Sequence, residues 1–163
     1  MSEKTDSFLA RGGAWVAIQF FLMMLVIVLG VALPGDWTHV PVIFAGAVFL
    51  IMGGWFGIAG VIILGRNRTP YPKPREGSEL VQRGIYARVR HPLYTSVMLV
   101  SIGWALIWQS VPSLLAALAL VPFFHAKARR EERWLREQFP GYVDYERRVP
   151  RFIPRLRHQL NLT

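Results

Sequence analysis

Two uncharged apolar runs constrain this chain more than anything else in it. Ala14 to Leu33 holds one strongly polar side chain, Gln19, and Val42 to Leu64 holds none. A helix needs about 20 apolar residues to cross the hydrocarbon core of a bilayer. The runs therefore predict transmembrane helices over about 14–33 and 41–64. Trp15 suits one interface as an anchor, Pro34-Gly35-Asp36 ends the first helix, and Trp37 marks the far interface. The turn to Pro41 is short, so the second helix is expected to return antiparallel beside the first. Met1 to Gly13 lacks a small-residue cleavage pattern, and the run after it is too long for a signal peptide. The first helix is thus expected to be retained.

Two shorter apolar segments follow, Leu93 to Ile107 and Pro112 to His125, joined by a tight turn at Trp108-Gln109-Ser110-Val111. They read as a helical hairpin, with spans over about 92–108 and 112–127. His91-Pro92 suits a helix start, since proline is tolerated in the first turn. The last helix is expected to run on through Lys127 to Phe139, where Pro140-Gly141 stops it. From Gly141 to Pro154 aromatic, charged and proline residues alternate. Such a tail is too polar to span and too aromatic to lie free, so it is expected to fold back on the cytoplasmic surface. The fold class is an all-α membrane protein of one domain, 1–163, with four transmembrane helices. The last two form the short hairpin, and a cytoplasmic C-terminal helix and tail, 128–157, cap the site.

Charge supplies the orientation. The chain has 19 Lys and Arg against 10 Asp and Glu, yet is 53% hydrophobic. Nucleic-acid binding explains a basic excess but not uncharged runs of this length, so no nucleic-acid partner is expected. Two basic residues, Lys4 and Arg11, precede the first helix, seven lie between the second and third, and ten lie from Lys127 onward. The two short turns hold none. Basic loops stay cytoplasmic, which puts both termini and the central loop on the cytoplasmic side of the inner membrane. No cysteine is present, so disulfides, thiolate metal sites and cysteine nucleophiles are excluded. In the central loop Arg66, Arg68, Lys73 and Arg75 alternate with Pro70, Pro72 and Pro74, which favours an extended segment. It reads as a basic surface resting on anionic lipid headgroups, as a lid over a site, or as both. The glycines of the second run, Gly46, Gly53, Gly54, Gly57 and Gly60, lie in no strand–glycine–helix pattern and read as helix packing. Gly53 and Gly57 are one turn apart, a small-xxx-small pair that permits a homodimer as readily as a monomer.

Polar groups converge where the hairpin opens. One end brings Arg88, Arg90, His91 and Tyr94, the other His125, Lys127, Arg129, Glu131 and Glu132. Ionisable groups at a membrane boundary are expensive and usually functional. Helical spacing also allows plain surface pairs, Glu132 with Arg129 or Arg136 and Glu131 with Lys127. His91 and His125 have no spaced third ligand, so a metal site is not expected.

The combination carries further. Arg-His-Pro-Leu-Tyr from Arg90, Glu-Glu-Arg-Trp-Leu-Arg-Glu-Gln-Phe-Pro-Gly-Tyr from Glu131, and Tyr-Glu-Arg-Arg-Val-Pro-Arg-Phe-Ile-Pro from Tyr145 stand in this order. From about 77 to 154 the chain resembles the integral-membrane methyltransferases of the isoprenylcysteine carboxyl methyltransferase and phospholipid methyltransferase group. The resemblance implies S-adenosylmethionine as methyl donor, held by the hairpin and tail. It implies a donor site of Tyr86, Val89, Arg90, His91, Pro92, Tyr94, Glu131, Glu132, Tyr145 and Arg151, with Tyr142 and Arg148 packed over it. It makes Arg129, Glu132 and His91 the candidate catalytic residues and puts Lys127 on the substrate side.

The donor's chemistry fits these residue types. Glu131 or Glu132 can pair with its ammonium, and Arg90, His91 or Arg151 with its carboxylate. Tyr86, Tyr94 or Trp134 can stack on adenine or face the sulfonium. The acceptor is expected to be a lipid or lipophilic small molecule entering from the bilayer, with room for its chain beside Gly57. Carboxylate, amine and thiol acceptors all stay open, and an amine would need a base such as His91 or Glu132. A nicotinamide-dependent membrane reductase of related fold and a non-enzymatic basic scaffold are the alternatives.

Overall fold

The computed structural model describes residues 12–36, 38–67, 69, 71, 73 and 77–154. The readings placed on Lys4, Arg11, Trp37, Arg68, Pro70, Pro72, Pro74, Arg75 and the tail beyond 154 lie outside the described residues. Among the described residues five α-helices follow one another: α1 Gly13–Ala32, α2 Val40–Leu64, α3 Pro92–Ile107, α4 Val111–Gln138 and α5 Tyr142–Arg148. No strand occurs among the described residues. Helices α1, α2 and α4 are long and apolar enough to cross a membrane, and α3 is a shorter apolar helix. Phe20, Phe21 and Met24 on α1 and Phe44, Ile51 and Ile62 on α2 point outward and exposed. Apolar surface of this extent suits lipid rather than water.

Local chemistry sets the helix ends. A proline sits in the first turn of α2, α3 and α4, where its missing N–H goes unneeded. Ser110 caps α4 by accepting from the Ser113 N–H at 3.3 Å. Helix α4 passes through Pro122 and runs on to Gln138, stopping at Phe139 as the Pro140-Gly141 pair predicts.

The helices choose neighbours by close backbone approach and hydrogen bonds, the forces left to them in lipid. Gly46, Gly53, Gly57 and Gly60 turn towards α3, where an added Cβ would come within 3.0 Å of Gly103, Val100, Ser96 and Leu93 respectively. Ser96 Oγ completes the contact by donating to the Gly53 carbonyl at 2.6 Å. The glycine run is thus a packing surface, and α2 lies antiparallel on α3. Helix α1 makes its main contacts with α4 and α3. Ser113 Oγ donates to the Val26 carbonyl at 2.8 Å and Ser110 Oγ to that of Leu29 at 3.1 Å. The expected pairing of α2 beside α1 is therefore corrected: the glycines of α2 match α3, and the serines of α4 match the carbonyls of α1.

The two ends of the bundle differ. At one, the short turns meet, with Gly35 N–H donating to the Trp108 carbonyl at 3.1 Å and His39 N–H to Gln109 Oε1 at 2.9 Å. At the basic end, α5 and residues 149–153 lie across the start of α3. The main-chain N–H groups of Arg90 and His91 donate to the carbonyls of Pro150 and Arg151 at 2.9 and 3.0 Å. Thr95 Oγ1 donates to the Phe152 carbonyl at 3.0 Å.

Candidate active site

The site grows from the turn before α3. Gly84 has φ +61°, a left-handed conformation that glycine adopts freely, and packs on Ile63. It opens a single 3-10 turn, Gly84–Ala87. Ile85 and Val89 anchor this turn in a small apolar core with Phe56. With those side chains fixed, Tyr86, Arg90 and His91 face the polar part of α4.

There the two adjacent glutamates part company. Glu132 is fully buried at the centre of a cationic cluster. Arg90 Nη2 donates to it at 2.8 Å, Arg151 binds both its oxygens, and His91 Nε2 lies 3.1 Å away. Arg90 also donates from Nη1 to the carbonyls of Glu146 and Val149 at 2.7 and 3.1 Å. Glu132 therefore ties the start of α3, α4 and the tail together. The side chain of Glu131 is 24% exposed, accepts from the Tyr94 hydroxyl, and has His91 Nδ1 3.7 Å away.

Glu131 opens onto a cavity of about 130 Å³. Leu64, Leu93, Leu135 and Phe139 give it apolar surface. Tyr86, Arg90, His91, Tyr94, Tyr142 and Tyr145 give it polar and aromatic surface, and Asn67, Thr69 and Ser78 to Val81 form the remaining wall. Burial pushes the phenols of Tyr86, Tyr142 and Tyr145 well above their ordinary range, so they stay protonated donors. Tyr145 donates to the Tyr86 carbonyl at 2.6 Å. Tyr142 Oη and Arg90 Nε are buried without a partner in residues that line the cavity. An unpaired buried polar group costs about 1–3 kcal/mol, a deficit that a ligand with acceptor groups would remove.

Of the residues expected in the site, Tyr86, Arg90, His91, Tyr94, Glu131 and Tyr145 line this cavity. The others stand elsewhere. Val89 belongs to the apolar core and Pro92 is buried at the start of α3. Glu132 and Arg151 bind each other. Lys127 is buried against Gln19 of α1 at 2.6 Å, Arg129 is exposed on α4, and Gly57 abuts Ser96. The Tyr94 ring stacks with His91 at 5.2 Å and Phe124 at 4.8 Å, and its hydroxyl is bonded to Glu131. Trp134 packs on Arg130 at 4.5 Å, away from the cavity wall. The expected surface pairs do not form either: Glu132 takes Arg90 and Arg151, and Arg136 takes Glu146 at 2.8 Å. Leu135 was missed although it lies one turn beyond Glu131 on the same helix face. Ser78 to Val81 carry no pattern that would have found them, and reach the cavity through Gln138 and Arg148, which bond Ser78 and Gln82.

The sequence model of the phospholipid methyltransferase family matches residues 41–141. The cobalt-zinc-cadmium resistance protein CzcN of Cupriavidus metallidurans is 28% identical over 159 residues, 96% of this chain and 70% of its own length. The nickel-cobalt-cadmium resistance protein NccN of Alcaligenes xylosoxydans xylosoxydans is 37% identical over 87 residues, 53% of this chain and 41% of its own length. Protein-S-isoprenylcysteine O-methyltransferase B of Arabidopsis thaliana is 29% identical over 148 residues, 85% of this chain and 75% of its own length. The family match takes in α2, α3, α4 and most of the cavity wall, and the chain belongs to the phospholipid methyltransferase family as an integral-membrane methyltransferase.

Proposed function

We propose that the protein transfers a methyl group from S-adenosylmethionine to a lipid or lipophilic small-molecule acceptor at the cytoplasmic membrane interface. The observation that carries this reading is the cavity wall itself, in which a half-buried carboxylate, Glu131, opens among phenols, with two unpartnered donors buried in residues of the same wall. The fit is chemical. Glu131 suits a cationic group, Arg90 Nε and Tyr142 Oη suit a carboxylate or ribose oxygen, and Tyr86 and Phe139 suit a flat ring. Bound there, the donor supplies an electrophilic methyl carried on sulfur. The chain's own part is to align, to exclude water and to hold charge, and alignment alone can contribute about 7–11 kcal/mol to rate.

In this reading α3 is the fourth span, and the basic end of the bundle, which carries the tail, faces the cytoplasm. Residues 142–153 cap the donor site through the Glu132 cluster. Glu132 then acts as a structural tie rather than a donor ligand or base, and the roles first given to Arg129, Lys127 and Gly57 pass to the residues of the wall. The acceptor reaches the site at its apolar end, where Leu64 and Leu93 lie next to the lipid-facing helices. The isoprenylcysteine methyltransferase relative supports a lipophilic acceptor.

Titration of the purified protein with S-adenosylhomocysteine in detergent micelles tests the donor assignment. Saturable heat and a raised melting temperature are expected. No heat and no thermal shift from either that compound or S-adenosylmethionine would overturn it.

A further inference from the structure

Helix α1 has one strongly polar side chain, and the structure gives it a charged partner. Gln19 accepts from Lys127 Nζ at 2.6 Å, while its amide nitrogen donates to Met23 Sδ at 3.8 Å. Lys127 is 1% exposed on α4, buried where the apolar stretch of that helix ends, and a buried ionisable group at such a place usually has a use. Holding α1 to α4 does not require a charge, because Ser110 and Ser113 already do so with neutral hydrogen bonds.

The ammonium's position against Tyr94 is the informative part. Nζ lies 5.2 Å from the ring centroid, within cation–π range. Phe124, one turn before Lys127 on α4, stacks on the same ring at 4.8 Å, and His91 stacks at 5.2 Å with the planes 2° apart. The ring is therefore held by three groups, and its hydroxyl is bonded to Glu131, one turn after Lys127. A buried cation thus stands against the ring whose hydroxyl holds the carboxylate that opens on the cavity.

We infer that Lys127, clamped by Gln19 of α1, is a positioning residue for the Tyr94–Glu131 pair. Its charge holds the Tyr94 ring in place, and the Tyr94 hydroxyl in turn fixes the Glu131 carboxylate where it faces a cationic ligand. This makes α1 a working part of the site, although it contributes no residue to the cavity wall. The inference rests on the donor reading above.

The test uses the full chain in lipid nanodiscs, with S-adenosylhomocysteine as probe, read by calorimetry and by thermal unfolding. Replacing a buried charged pair with apolar residues of similar size is often neutral or stabilising. The Gln19→Met, Lys127→Met double variant therefore separates charge from packing. A melting temperature at or above that of the parent is expected, with Kd weakened about tenfold. Lys127→Arg keeps the charge and is expected to bind close to the parent. Gln19→Glu keeps the helix contact as an ion pair while cancelling the ammonium's field at Tyr94, and should weaken binding in the same direction. Parent-like Kd in the double variant, or in Gln19→Glu if the double variant does not fold, overturns the inference. A parent that does not bind the probe at all overturns the donor reading, and this inference with it.

Discussion

Glu131 and Glu132 are neighbours in sequence with opposite roles in the structure, and neutralising each in turn should separate them. In Glu132→Gln the change is to one atom, but Arg90 and Arg151 both lose the carboxylate that balances them in a buried site. Breaking a buried pair by removing one partner typically costs about 3–5 kcal/mol, because the remaining charge is stranded. For a chain of this size each kcal/mol shifts the melting temperature by about 2–4 °C, so a fall of roughly 6–20 °C is expected. Residues 142–153 should also become accessible, since Arg151 and, through Arg90, the carbonyls of Glu146 and Val149 hold them down. Glu131 accepts one tyrosine hydroxyl and is partly exposed, so Glu131→Gln should cost no more than about 1 kcal/mol. Its binding of S-adenosylhomocysteine should nevertheless fall by about tenfold or more. Thermal unfolding in micelles, limited proteolysis of the tail and calorimetric titration report the three effects. Equal destabilisation by both variants, or a loss of binding greater in folded Glu132→Gln than in Glu131→Gln, would refute the division.

Gly57→Leu should destabilise the α2–α3 contact by about 1–3 kcal/mol, since an added Cβ already meets Ser96 Oγ at 2.6 Å; Gly54→Ala, with open space around it, serves as the control in the same melting experiment. Tyr145→Phe removes the hydrogen bond to the Tyr86 carbonyl and should lower stability by about 1 kcal/mol, again by thermal unfolding. The hydrogen-bonded Arg136 guanidinium holds the Glu146 carboxyl below its usual range. The stability this pair supplies is therefore fully present above the unfolded value near 4.3 and is lost as pH falls through the lower folded value. The pair is partly exposed and contributes no more than about 1 kcal/mol, so Arg136→Gln should flatten the acid side of a melting-temperature profile only slightly.

The sequence carries the helices more plainly than their arrangement. Charge-free runs and punctuating prolines place α1, α2 and the α3–α4 hairpin within a few residues, because hydrophobic length and helix-end chemistry are local properties. Which helix lies beside which depends on facing surfaces. The glycine stripe of α2 was visible, but its partner on α3 was not, since Ser96, Val100 and Gly103 look like any apolar helix face until the two are docked. The site divides in the same way. Polar residues gathered at the mouth of the hairpin were legible, and four of them, Arg90, His91, Tyr94 and Glu131, do line one cavity. The separate fates of Glu131 and Glu132 were not, because a 100° step around α4 sends one to the cavity and the other to Arg90 and Arg151. Lys127 read as a substrate-side cation beside the acidic pair, and its buried partner Gln19 lies 108 residues away in sequence.

The central claim is methyl transfer to a lipophilic acceptor from a donor held by Glu131. The most direct measurement incubates the protein, in nanodiscs made from total membrane lipid, with S-adenosylmethionine labelled in its methyl group. Mass spectrometry then follows the label into organic and aqueous fractions. The account predicts labelled product in the organic fraction with the parent protein and a steep loss with Glu131→Gln, which keeps the fold. Label that never leaves the donor, or transfer undiminished in Glu131→Gln, would contradict it.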